Sequence, residues 1–348
     1  MQLFPKMKAA QSKGAFELEA NITMTFFLHF IRRSFTFRRQ HWALGEAVLA
    51  ISLWGISFIS IKMALQEVSP VTLIVVRFAA GALFVGALAW ARGEFKLLRW
   101  RDVPTLASVG LIGIALQQFL QVSGQATAEA SVAAFLASTA PAFTVALAAL
   151  FLKEKIRAWQ MGGVTLATLG AVLVATNGQL DGLLSGHFGA PGNLLVLASS
   201  VVWALLTLLS KRAVENRPAF LVTAGMFFFG ALFLAPLFIA QNGWRELTSV
   251  SPEGWGAIVF TTLVCTVGAY LLNTHALKHI SASRVALIQN LEPLVAVVGA
   301  ALILREALTA PMLLGGLAIL GGVYLAERAA PPVVAEASSS AAVAPAGD

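Results

Sequence analysis

Residues 141–154 read PAFTVALAALFLKE, and residues 293–306 read PLVAVVGAALILRE. Set 152 positions apart, Pro141/Pro293, Val145/Val297, Ala148/Ala300, Ala149/Ala301, Leu150/Leu302, Leu152/Leu304 and Glu154/Glu306 are identical. The duplication extends upstream. Gly81-Ala82-Leu83-Phe84 returns 149 positions later as Gly230-Ala231-Leu232-Phe233, and Trp54 and Lys62 return as Trp203 and Lys211. Three extra residues in one loop of the second half reconcile the two offsets. A hydrophobic chain written twice points to a membrane carrier assembled from two repeats, with its site where they meet.

The surrounding composition agrees. Hydrophobic residues make up 58% of the 348 and charged residues 12%, about half the charge of a soluble domain. The apolar residues fall in runs of roughly 20, the length that crosses a bilayer core as a helix. The expected spans are 43–65, 70–91, 103–122, 129–152, 158–176, 193–213, 218–240, 254–276, 284–304 and 309–327. The runs are continuous rather than alternating, which predicts helices and not a barrel. The expected fold is an all-α integral membrane protein of ten transmembrane helices. Five spans per half make the second repeat start from the opposite side, so the two five-helix repeats are expected to be inverted. The organisation follows: a basic cytoplasmic extension (1–41), a first repeat (42–176), an outer connecting loop (177–192), a second repeat (193–328) and a disordered cytoplasmic tail (329–348). The extension reads either as an interfacial helix on anionic lipid or as a poorly ordered appendage.

The formal charge of +7 is a topology signal. With the N-terminus inside, all but Lys62, Arg77, Arg245 and Arg305 of the 24 basic residues fall in cytoplasmic segments, as the positive-inside rule requires. This predicts a plasma or inner membrane protein with both termini cytoplasmic, and it argues against nucleic acid as a partner. Cys265 is the only cysteine, so neither an intrachain disulfide nor a thiolate metal site can form. There is no GxxxxGK[ST] loop and no HExxH, and no cofactor is expected.

Trp54-Gly55-Ile56-Ser57-Phe58-Ile59-Ser60-Ile61-Lys62, Pro70 with Arg77, Pro141 with Lys153-Glu154, and Leu291-Glu292-Pro293 with Arg305-Glu306 resemble the motifs of EamA-type transporters of the drug/metabolite transporter superfamily. The resemblance covers roughly residues 43–327. It implies a central cavity formed mainly by spans 1, 3, 4, 6, 8 and 9, and export of small metabolites or drugs.

Polar residues inside the spans are the candidate substrate-binding set, because an ionised side chain at bilayer depth costs about 2.5–3.5 kcal/mol on insertion scales and normally faces a cavity or partner. Arg77 and Glu292 stand where the repeats have diverged; their counterparts are Met226 and Ala140. Either bonds solute, or else neighbouring backbone. Gln118 and Gln121 correspond to Tyr270 and Asn273, each pair three apart and so on one helical face; inversion is expected to turn these faces toward one another, or else they bond between helices. Gln117, Gln289 and Asn290 add amides. Trp54 and Trp203 read as aromatic walls or as helix anchors, and Pro141 and Pro293 as hinges or static kinks. Glu154 and Glu306, beside basic residues at helix ends, read as structural. Glu46, Glu292 and His275 are candidates to carry a coupling proton. The rows Gly163-Ala167-Ala171 and Ala318-Gly322 read as close helix packing or a homodimer face. Membrane lipid and a small-molecule solute are the expected partners. The expected function is secondary-active export of an amino acid-like metabolite or drug by alternating access. The alternatives are an uncoupled exchanger, a channel, and a membrane enzyme or lipid scaffold; the last lacks a cluster of nucleophile, metal ligands or paired carboxylates.

Overall fold

The structure is a computed structural model. It describes residues 42–152, 157–179, 189–214, 217–276, 279–280, 285 and 288–327, without the side chains of 152 and 208–214. The expectations for 1–41, 329–348, Lys153, Glu154 and the Lys211 side chain therefore lie outside the described residues.

In chain order the helices are α1 (Trp42–Ala64), α2 (Pro70–Ala91), α3 (Trp100–Thr127), α4 (Ala130–Ala137 and Ala140–Leu152), α5 (Ala158–Thr176), α6 (Pro191–Val214), α7 (Ala219–Ala240), α8 (Pro252–Ala276), α9 (Leu291–Leu304) and α10 (Ala310–Glu327). Among the described residues there is no strand. Among the described residues, eight helices are long and apolar enough to cross a membrane: α1 to α5, α7, α8 and α10. The described apolar stretch of α9, Leu291–Leu304, is shorter, and that of α6 is described as far as Thr207 within the helix Pro191–Val214. Lipid offers no backbone partner, so each span must close its own hydrogen bonds, and helix is the solution for a continuous apolar run. Punctuation sets the ends. Ser69 caps α2, its Oγ accepting the Thr72 amide at 3.3 Å, with Pro70 as the first helical residue. Ser251 caps α8 in the same way, accepting the Gly254 amide at 3.0 Å ahead of Pro252. Proline there sacrifices only an amide that the helix leaves unpaired.

Glycine sets how closely the helices approach. The two small-residue rows pack against each other inside this chain, α5 on α10. A Cβ on Gly163 would sit 2.6 Å from Gly322 O and from Ala326 N, and one on Gly170 would sit 2.6 Å from Gly315 O. These faces are thus used internally and are not free as a dimer surface. Gly163→Ala should therefore destabilise the protein by about 1–3 kcal/mol, the usual penalty of overpacking. The adjacent Gly162 has nothing within 4 Å of a Cβ, so Gly162→Ala should be neutral or stabilising by up to about 1 kcal/mol through helix propensity. Melting of both variants in detergent measures the contrast.

Elsewhere α2 packs on α7, α3 on α6, and α4 on α6 and α9. Gly55 brings α1 onto the backbone of α9 at Glu292.

Carboxylates cap helices across the bundle. Glu94, after α2, accepts the Leu221 amide of α7 at 3.1 Å, and Glu246, after α7, accepts the Ser69 amide ahead of α2 at 2.7 Å. Glu67 accepts both the amide, at 2.6 Å, and the hydroxyl of Ser251, which hold its carboxyl below the usual carboxylate range. Arg217 donates Nε and Nη2 to Asp102 Oδ1 at 2.9 and 2.7 Å. At the end of α1, Lys62 Nζ donates to the carbonyls of Gln125, Ala126 and Ala128, at 2.9, 3.4 and 2.6 Å, which terminate α3. Glu306 accepts the amides of Ala130 and Ser131 at 2.7 and 3.0 Å, which begin α4. A cation on a helix C-terminus and an anion on an N-terminus both complement the helix dipole. Burial, and next the nearby Glu306, push the Glu129 carboxyl above its ordinary range against the pull of Lys62.

Candidate functional site

Helix irregularities mark the interior. Residues Leu111–Leu116 of α3, Phe260–Gly268 of α8 and Ala300–Leu304 of α9 are π-helical. α4 is broken at Ser138–Thr139, and α9 starts anew at Leu291 after a turn at Asn290. Pro141 and Pro293 stand just inside the restarts rather than in unbroken helix. The carbonyl of Leu136, at the α4 break, is taken up by hydroxyls: Thr139 Oγ1 at 2.6 Å and Ser200 Oγ, from α6, at 3.0 Å. Apolar surroundings tolerate interrupted backbone only with such replacements. No sequence signature announced the π segments. Such bulges frequently sit at functional positions.

Arg77 projects from α2 against the π segment of α8. Its Nε donates to Thr266 Oγ1 at 2.6 Å, and the Thr266 hydroxyl donates in turn to Thr261 O at 2.8 Å. Thr261 Oγ1 lies 2.7 Å from Ser60 Oγ, which ties α8 to α1. The guanidinium lies 5.0 Å from the Phe78 ring centroid, and only 7% of Arg77 is exposed. Its Nη1 is buried without a hydrogen-bond partner. The two ion pairs among the described residues, Arg217–Asp102 and His275–Glu46, do not include it. Ser60, Thr261 and Thr266 were missed by the sequence reading; hydroxyls recurring in two apolar spans were the signal available.

Glu292 is half-buried in the first turn of α9. Among the described residues its carboxylate has no hydrogen-bond or ion-pair partner. Trp54 is half-buried near it, packed in a cluster with Ile288 and Leu291. Trp203 behaves differently: it is 46% exposed, so the two tryptophans do not form equivalent walls. Glu46 and His275 do come together, Oε2 to Nδ1 at 2.6 Å, between α1 and α8.

The amides divide. Gln117 is buried and donates to Gln121 Oε1 at 2.7 Å; Gln118 donates to Gln117 Oε1 at 2.7 Å. Tyr270 accepts from Thr223 Oγ1 of α7 at 2.5 Å. Among the described residues no hydrogen bond joins the glutamine chain to Tyr270 or Asn273, and Asn273 Oδ1 is buried without a partner. Gln289 is exposed and Asn290 half-buried. Gln125, not singled out from the sequence, is fully buried with neither amide atom satisfied. Among the described residues no group of three metal-ligating side chains could hold an ion.

Residues 41–176 and 190–327 each match the EamA-like transporter family. An uncharacterised transporter of Archaeoglobus fulgidus is 30% identical over 280 residues, covering 80% of this chain and 94% of the relative. A probable amino-acid metabolite efflux pump of Escherichia coli is 27% identical, covering 80% and 92%. A probable terminal-alkyne amino-acid exporter of Streptantibioticus cattleyicolor is 28% identical, covering 82% and 93%. One solved crystal structure shares the fold, with a TM-score of 0.54 and 22% identity, over 82% of this chain and 96% of the other.

Proposed function

The chain belongs to the EamA-like transporter family, a multi-pass membrane protein and not an enzyme, and on that premise we propose that it is a secondary-active exporter of small amino acid-like metabolites. Its ten helices form two inverted five-helix repeats, and it works by alternating access. The observation that carries this reading is the pairing of two irregularities, although the π segment Ala300–Leu304 of α9 falls on regular helix in α4. The π segment Leu111–Leu116, advanced by 152, falls inside Phe260–Gly268, and the break at Ser138 falls on the turn at Asn290. Transporters of inverted repeats build their sites from such discontinuous helices near the midplane. The packing supports the same symmetry. Exchanging the repeats maps α2 on α7 and α5 on α10 onto themselves, and α3 on α6 onto α8 on α1. The Glu94 and Glu246 caps exchange as well. Gly93 and Asn242, both with positive φ, correspond at 149, while Glu94 and Glu246 correspond at 152. The three extra residues therefore lie between Asn242 and Glu246.

The solute is held between α1, α2, α3, α8 and α9 by Arg77, Glu292, the amides and Trp54. The printed names of two relatives favour an amino acid-like solute. A coupling proton has candidate carriers in Glu292 and in the Glu46–His275 pair. Counterflow of labelled amino acids in proteoliposomes tests the reading. A carrier gives saturable, trans-stimulated uptake; linear flux without trans-stimulation would mean a channel.

Both termini are cytoplasmic in a plasma or inner membrane. With Cys265 replaced by alanine, single cysteines at Arg245 and Arg305 should react with an impermeant maleimide on intact cells, and one at Lys96 should react only after permeabilisation. Labelling at Lys96 in intact cells would reverse the orientation.

A further inference from the structure

The transport reading above does not say which group of the solute Arg77 holds, and resting on that reading we propose that Arg77 is the carboxylate-binding element of the site, so that a carboxylate is the part of the exported metabolite that the site requires. A guanidinium presents five donors in a planar fork and stays charged at any working pH. Here the Nε edge is fixed by Thr266 Oγ1 at 2.6 Å, and Thr266 is itself oriented by its bond to Thr261 O. Phe78 lies beside the guanidinium. The position of the fork is therefore determined, yet its terminal edge is unused. Nη1 is buried without a partner, and among the described residues no carboxylate lies within ion-pair distance.

A purely structural arginine would spend that edge on carbonyls or on an acid, because a buried charge left unpaired is strongly destabilising. Lys62 shows the contrast: it spends its ammonium on three carbonyls at the end of α3. What is missing at Arg77 is an anion with two oxygens in a plane, the shape that pairs with a guanidinium through two parallel bonds. A phosphate dianion pairs with arginine in the same bidentate way, but its second charge asks for a second cation. Lys62, the basic residue of α1, is engaged by the carbonyls at the end of α3. The carboxylate is therefore the better fit. The repeat counterpart of Arg77 is Met226, so the site binds the carboxylate on one side of the pseudo-axis only, and the solute is held in a single orientation.

The test uses the purified full chain in detergent and in proteoliposomes, with leucine, leucinamide and inorganic phosphate as probes. Wild type should be stabilised against melting by leucine, with leucinamide binding about ten- to a hundredfold more weakly, the usual range for losing a charge-assisted pair. Arg77→Gln should remove that discrimination, bringing acid and amide within about twofold, without lowering the melting temperature of the ligand-free protein. Arg77→Lys, which keeps the charge but not the fork, should fall between. If Arg77→Gln does not fold, Thr266→Val carries the test: losing the acceptor that aims the fork should weaken leucine about three- to tenfold and leave leucinamide unchanged. An acid-to-amide ratio that survives Arg77→Gln, or is unmoved by Thr266→Val, overturns the proposal. So does stabilisation by phosphate that depends on Arg77. Saturable counterflow of uncharged solutes without any carboxylate would also end it, while leaving the transporter reading intact; absence of counterflow for every solute would end that reading itself.

Discussion

Glu306→Ala is expected to be among the most destabilising single substitutions outside the helix contacts. Glu306 follows Arg305, whose left-handed backbone (φ 57) ends α9 and turns the chain toward α4. There the carboxylate accepts the amides of Ala130 and Ser131 at 2.7 and 3.0 Å and the Ser131 hydroxyl at 2.5 Å. Ala130 and Ser131 are both 0% exposed, so no water replaces the lost acceptor. Each orphaned donor costs about 1–3 kcal/mol. The positive end of α4 also loses its compensating charge, worth up to about 2 kcal/mol in a partly buried setting. These contributions overlap, and a total of about 3–5 kcal/mol is expected, the range for breaking a buried charged pair. Glu306→Gln keeps the shape and one acceptor, and should lose roughly half as much. Thermal melting in detergent measures both. A Glu306→Ala protein melting with wild type would mean that α4 does not depend on this cap.

Glu306 also indicates what sequence can and cannot reveal. Its place in a repeated stretch was plain from the identities between 141–154 and 293–306. Its partner was not. Beside Arg305 it read as a helix-end charge near basic residues, whereas its contacts are amides 175 and 176 positions away in the chain. A cap depends on which loop folds over which helix end, and apolar periodicity carries no record of that. The helices themselves were legible because a bilayer imposes length and apolarity on every span. The π segments were not, because LIGIAL in α3 carries nothing that separates it from α-helix. The small-residue rows were legible as close packing, but their mutual pairing inside one chain was a matter of tertiary arrangement. Of the candidate site, the charges stood out by their rarity in apolar spans. The mutual bonding of the glutamines was not legible, because a side-chain amide within a helix satisfies its neighbours one and four residues away as readily as a solute.

The carboxylate of Glu292, without a partner among the described residues, leads to the other large effect. Glu292→Gln is nearly isosteric, so packing against Gly55 of α1, which touches the Glu292 backbone carbonyl rather than the side chain, should survive. The substitution removes a half-buried carboxyl group that has no partner among the described residues, and with it any charge that group carries. An acidic side chain within a span costs about 2.5–3.5 kcal/mol on insertion scales, of which the first-turn position at the start of α9 offsets up to about 1–2 kcal/mol. Removing the charge should thus leave stability unchanged or raise it slightly. Transport should move the other way. On the proposed transport reading, the Glu292 carboxylate takes up a proton or the amine of the solute during the cycle, and the glutamine amide can take up neither. Counterflow should fall at least about tenfold, the effect of losing one charge-assisted contact, at equal protein level in the liposomes. A stabilising substitution that abolishes activity is the signature of a group retained for function. Normal counterflow together with a lower melting temperature would reverse the assignment and make Glu292 a structural residue of the α9 restart.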